Sequence, residues 1–262
     1  MTGKELLFTL WAPGLVVPLF SVAALAAYVA RFRGRLSLRA GYFGLAVALF
    51  FLALASPIGV LARGYLFSAH MLQHLLLTLA IPPLVLLSLP TPSSSDAPER
   101  DRTGILVSWL AGVGAMWIWH ARPLCNAAAA STRVQVVQTV SLLVMGLAFW
   151  RPVLSPRARD RIDPLPAVVY LFGGCIACTI LGILVTLSPI EVCSAYMNPT
   201  DTLGVLPLLR DSWGLSCKAD QQLGGLLMWV PACFVYAAAI LGTLGTYYSA
   251  EGRRPAHARG SE

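Results

Sequence analysis

The chain has 262 residues, 57% of them hydrophobic and only 12% charged, with a formal net charge of +7. A soluble domain carries about 25% charged residues. The low charged fraction, with a mean hydropathy of +0.70, excludes an ordinary soluble protein and points to a polytopic membrane protein.

Seven apolar runs follow in chain order, over residues 6–30, 40–61, 68–90, 104–120, 134–150, 165–187 and 220–248. They are 17–29 residues long, and about 20 apolar residues cross the hydrocarbon core of a bilayer. The expected fold is all-α: a single membrane domain over residues 1–262 with seven transmembrane helices. In the first run the arginines follow the apolar stretch instead of preceding it, which argues for a retained helix rather than a cleaved signal. Pro13 and Pro18 are expected to kink it.

The breaks between runs are short and polar, such as RFRGRLSLR, TPSSSDAPERDRT and RPVLSPRARDRIDP. With seven crossings, thirteen basic residues, from Arg31 to Arg259, fall on one side. Six fall on the other: Lys4, Arg63, Arg122, Arg133, Arg210 and Lys218. The positive-inside rule then places the N-terminus outside and the C-terminus inside, with residues 249–262 as a basic cytoplasmic tail. The charge reads as topology and contact with anionic lipid, and no nucleic acid is needed to explain it. The longest connection, residues 188–219, lies outside. It holds Cys193, Tyr196, Met197, Trp213 and Cys217, so it is expected to be an ordered loop over the mouth of the bundle.

The third run opens with SAHMLQHLLL. On a helix, His70 and His74 project within about 40° of each other, with Met71 within about 100° of His70. His120 closes the fourth run on the same, outer, face, so three imidazoles converge there. Imidazole with a thioether or thiol is the ligand set of Cu(I), and imidazole also suits Zn and Cu(II). The plainer alternative is hydrogen bonding to loop carbonyls. Pro82 and Pro83, halfway along the same run, break its hydrogen-bond ladder and free carbonyls.

Six cysteines divide by depth. Cys193 and Cys217 share the outer loop, 24 residues apart, where a disulfide is the default and transient copper ligation the alternative. Cys125, just past His120, is a further optional soft ligand. Cys175 and Cys178 lie deep in the sixth run with Cys233 at similar depth, and read as small packing residues. The seventh run opens with DQQLGGLLMW, where Gly224 and Gly225 permit close helix approach. Asp220 is expected either to orient a histidine or face a cation, or to cap its own helix. No Lys, Arg, Asp or Glu lies deep in a run, which disfavours ion-coupled pumps. No nucleotide loop, nucleophile elbow or HExxH motif is present, so no enzyme is expected.

The segments HMLQHLLLTLAIPPLVLL, WIWHARPL…NAA followed by LLVMGLAFWRPVL, and ADQQLGGLLMWVP, in that order over about Ser68 to Tyr236, resemble the CtaG family of cytochrome c oxidase assembly factors. The resemblance implies a multi-pass protein of the bacterial inner membrane that acts as a chaperone in copper-dependent oxidase maturation, with a cytochrome c oxidase subunit as partner. It also implies that His70, His74 and His120 are the family's histidines and Asp220 part of its DQ motif. Early in the fifth run, where such proteins are expected to carry a histidine-bearing pair, this chain has Gln135, Gln138 and Thr139. The site here is then reduced, or rebuilt with Cys125, Cys193 or Cys217. The expected ligands are His70, His74 and His120, with Met71 and the loop cysteines optional, holding copper as Cu(I). A b-type haem between histidines flanked by Trp117, Trp119 and Trp229 is the alternative, as is a metal-free accessory subunit of a respiratory complex.

Overall fold

A computed structural model describes residues 10–11, 14–32, 38–91, 102–157 and 160–251. Among them every regular element is helical. In chain order the α-helices are α1 (Val16–Arg31), α2 (Leu38–Ala55), α3 (Pro57–Leu61), α4 (Phe67–Leu75), α5 (Ile81–Ser88), α6 (Arg102–Trp119), α7 (Arg122–Ala130), α8 (Thr132–Leu154), α9 (Pro164–Leu187) and α10 (Cys217–Glu251), and the outer loop adds short helical turns at Ser194–Tyr196 and Leu208–Ser212. Helices α4 and α5 form one crossing, Phe67–Ser88, joined through a π-helical turn at Leu76–Ala80.

Among the described residues five helices are long and apolar enough to cross a membrane, six if α6 and α7, bent by 72°, count as one span. Helix α1 is a shorter apolar helix of 16 residues. The chain is a multi-pass membrane protein. Residues 6–9, 12 and 13 of the first run and 252–262 of the tail lie outside the described residues. Pro18 sits in the first turn of α1, where proline is tolerated.

Prolines set the breaks. Ser56 caps α3 by accepting from the Ile58 amide at 3.1 Å, and Pro57 follows at the first helical position. Pro57 has no N–H for the Ala53 carbonyl, which instead accepts from Nε2 of Gln73 at 2.8 Å. The Thr78 carbonyl, four residues before Pro82, accepts from the Trp150 indole N–H at 3.0 Å. The freed carbonyls thus draw polar side chains from neighbouring helices, and the Pro82–Pro83 break is absorbed by the π turn.

The crossing Phe67–Ser88 lies at the centre. Of its apolar window 61% is buried, against 17–33% for the other spanning helices. It packs against α2, α8 and α10, while α9 lies along α10. Aromatic residues Phe149, Trp150, Tyr170 and Tyr236 fill one core region, and Tyr170 donates to the Phe149 carbonyl at 2.8 Å. A second region holds Phe67, Met71, Cys125, Cys193, Tyr196 and Met228. The histidines lie beside this second core.

Candidate functional site

Helix α4 carries His70, Met71 and His74, each 1% exposed. The i, i+4 spacing brings the two imidazoles together, with ring centroids 4.3 Å apart and the planes tilted by 55°. His120 enters from the turn between α6 and α7, where Pro123 opens the new helix. Its ring centroid lies 5.4 Å from that of His74, and its Nε2 is 3.1 Å from Sδ of Met71. The structure therefore gathers the three imidazoles and the thioether expected from the sequence.

Hydrogen bonding sets these side chains apart. Both ring nitrogens of His70 and both of His74 are buried without a hydrogen-bond partner. A neutral imidazole has one donor and one acceptor, and each buried polar group left so costs about 1–3 kcal/mol. The Gln138 side chain is the polar group nearest in interaction with His74, though short of hydrogen-bond geometry, and its own Nε2 has no partner. At His120, Nδ1 lies 2.6 Å from the Met116 carbonyl. A carbonyl only accepts, so Nδ1 carries the proton and Nε2 presents a lone pair. That lone pair faces a thioether sulfur, itself an acceptor. An electron-poor centre between them relieves the opposition. Fixing one ring nitrogen on a carbonyl to free the other is also how metal-binding histidines are held.

The nitrogens do not converge on one point. Among the described residues no three His, Cys, Asp or Glu side chains form a ready-made metal site. The donor chemistry fits a soft ion, and closing on one requires the rings to turn.

Asp220 touches no imidazole. Its two oxygens accept from the backbone N–H of Phe67 at 2.8 Å and of Ser68 at 3.0 Å, and from the Ser68 hydroxyl at 2.6 Å. The carboxylate caps neither its own helix nor a histidine: it closes the N-terminus of α4, satisfying donors that the first helical turn leaves free. Gln221, the next residue, holds the outer loop. Its Oε1 accepts from the Val192 amide at 3.0 Å, and its Nε2 donates to the Ile190 carbonyl at 3.1 Å. The DQ pair thus ties the histidine helix and the loop above it to one point on α10. A Cβ on Gly224 would lie 2.5 Å from Cδ1 of Phe67 and 3.1 Å from Cγ of Met71, so this glycine is what lets α10 reach α4.

The expected Cys193–Cys217 bridge is corrected. Cys193 is bonded to Cys125, 68 residues earlier, and Cys217 is a free thiol against the Met197 carbonyl at 3.4 Å. Spacing within the loop suggested its own partner, but the loop folds back onto α7. There Asn126 accepts from the Ala195 amide at 3.0 Å and the Ser194 hydroxyl at 3.3 Å. While joined, Cys125 and Cys193 are not thiol ligands. The loop also delivers Tyr196, buried, with its ring centroid 5.6 Å from that of His70 and its hydroxyl donating to the Ala62 carbonyl at 2.8 Å. Burial, with Asp220 nearby, raises the Tyr196 phenol above its ordinary value, so it stays a donor.

Sequence reading placed Gln221 and Asn126 only within motifs, DQ and NAA, that carry the family resemblance; it gave neither a role and did not foresee the separate helix α7.

A family model described as cytochrome c oxidase caa3 assembly factor (Caa3_CtaG) matches residues 19–249. No curated protein and no solved structure matches the chain.

Proposed function

The chain belongs to the family of cytochrome c oxidase caa3 assembly factors, and from that premise we propose that it handles copper, as Cu(I), during oxidase maturation. His70, His74 and His120 hold the ion, with Met71 as a soft fourth donor, and a cytochrome c oxidase subunit receives it. The proposed setting is the bacterial inner membrane. The chain crosses it seven times, with α1 and the bent α6–α7 pair each counted as a crossing, the N-terminus outside and the C-terminus in the cytoplasm. The site then faces the periplasm, and the basic side meets anionic lipid. The role involves no covalent chemistry of the protein's own.

One observation carries the reading: of the six buried ring nitrogens, only Nδ1 of His120 reaches a carbonyl. Elsewhere in the bundle, Gln73, Trp150, Tyr170 and Tyr196 each satisfy a carbonyl. His70 and His74 satisfy none, and the Nε2 of His120 points at sulfur. Imidazole and thioether together select a soft ion over a hard one. In this arrangement the protein's residues bind and orient: Met116 fixes the His120 tautomer, Asp220 fixes α4, and Tyr196 with the outer loop excludes water.

Haem is the weaker rival. The three rings pack closely together, and the cavity of about 30 Å³ beside Thr78 and Met116, which no histidine lines, has room for a water or two. A porphyrin between any two of these rings would have to unpack them.

The test is elemental analysis of the gently purified protein with reductant present. Wild type is expected to carry copper and the His70→Ala/His74→Ala variant to lose it. Equal copper in both would defeat the proposal, and a strong Soret band would favour haem. Stable co-purification with an oxidase and no metal would favour an accessory subunit.

A further inference from the structure

Helix α8 brings a polar side chain to the depth of the histidines. Gln138 is 2% exposed, and no hydrogen bond reaches its Nε2. Its side chain interacts with His74, whose two ring nitrogens are likewise buried without partners. Burying a polar group in this condition costs about 1–3 kcal/mol. A leucine would fill the same space without that cost, so folding alone gives no reason for an amide here.

The backbone at Gln138, by contrast, is firmly tied. Ser141 donates to the Gln138 carbonyl at 2.9 Å and accepts from the Trp119 indole N–H at 2.9 Å. Trp119 immediately precedes His120 in the chain. Leu142, one turn on from Gln138, packs in one core cluster with Trp119 and with Leu77 of the central crossing. The turn of α8 that carries Gln138 is thus fixed against both histidine-bearing elements. Its side chain is rigid at the root and unpaired at the tip.

We propose that Gln138 is a positioning residue of the copper site: its Oε1 accepts the N–H of His74 and so presents the ring's other nitrogen to the ion. The inference rests on the histidine reading. An imidazole that gives one lone pair to a metal carries a proton on its other nitrogen, and that N–H needs an acceptor inside the protein. His120 has one in the Met116 carbonyl. No carbonyl reaches the His74 ring, which leaves the carboxamide oxygen of Gln138. The turn of the rings that convergence on one ion requires is also the movement that closes this bond. Metal-bound histidines are commonly oriented by such an acceptor, and its loss lowers affinity about 10–100-fold. An amide supplies the acceptor without adding a charge to the membrane interior.

Two measurements on the full-length protein in detergent test it: Cu(I) affinity under reductant, by competition with a chromogenic Cu(I) chelator, and the thermal midpoint of copper-free samples. Gln138→Leu is expected to bind Cu(I) about tenfold or more weakly than wild type, with a copper-free midpoint unchanged or raised. Gln138→Glu keeps an acceptor oxygen and is expected to recover most of the lost affinity. Wild-type affinity in Gln138→Leu overturns the proposal, and so does a Gln138→Glu protein that binds no better than Gln138→Leu. A copper-free midpoint that falls in Gln138→Leu assigns the side chain to folding and overturns it as well. Undiminished Cu(I) binding by His70→Ala/His74→Ala defeats the histidine reading itself, an outcome distinct from these three.

Discussion

At the scale of single residues, the decisive contrast is between polar groups that finish a hydrogen bond and polar groups that do not. Asp220 belongs to the first kind. It accepts three hydrogen bonds at the start of α4, so Asp220→Ala leaves two backbone amides and a hydroxyl without an acceptor inside the protein. The expected loss is about 3 kcal/mol or more, read as a lower thermal midpoint in detergent. Asp220→Asn keeps one acceptor oxygen and should fall between. A direct role at the metal predicts the reverse, lost copper at unchanged stability, so the two measurements together decide between capping and ligation.

Helices are placed by their smallest and stiffest residues. Gly224 faces Phe67 and Met71 with no room for a methyl group, and Gly225 is equally tight against Gly182 and Thr186. Gly242, on the same helix, has open space around its Cβ direction. Gly224→Ala should therefore destabilise by roughly 1–3 kcal/mol through overpacking and push α4 away from α10. Gly242→Ala should stabilise by about 1 kcal/mol through helix propensity alone. Thermal unfolding of the two variants side by side checks this, and equal shifts would sink the close-approach argument. Prolines act in the opposite sense, opening carbonyls that Gln73 and Trp150 then fill.

The whole molecule is organised around the central crossing, with the outer loop folded over it and locked to α7. The Cys125–Cys193 bond closes a long loop, and its removal is expected to cost about 2–4 kcal/mol. Reductant should lower the melting temperature of wild type and of Cys217→Ser, but not that of Cys125→Ser. A reductant-sensitive Cys125→Ser protein, with Cys217→Ser insensitive, would restore the pairing within the loop. Because Tyr196 rides on this loop above His70, loosening it should also open the histidines to water.

Much of this was legible in the residues themselves. Apolar runs must be helices in a bilayer, since every backbone group needs an internal partner there, and HxxxH on a helix places two imidazoles together by geometry alone. The run order also put His120 on their face, but the grip of Asp220 on another helix's first turn and the pairing of Cys193 with Cys125 were not legible. Each joins residues at least 46 positions apart, and spacing along the chain says nothing about which distant helix ends meet. Local periodicity determined the spans and the histidine pair, and run order put His120 on their face; only packing around Gly224 and the bend at His120 decided how closely the third ring meets the Met71 sulfur.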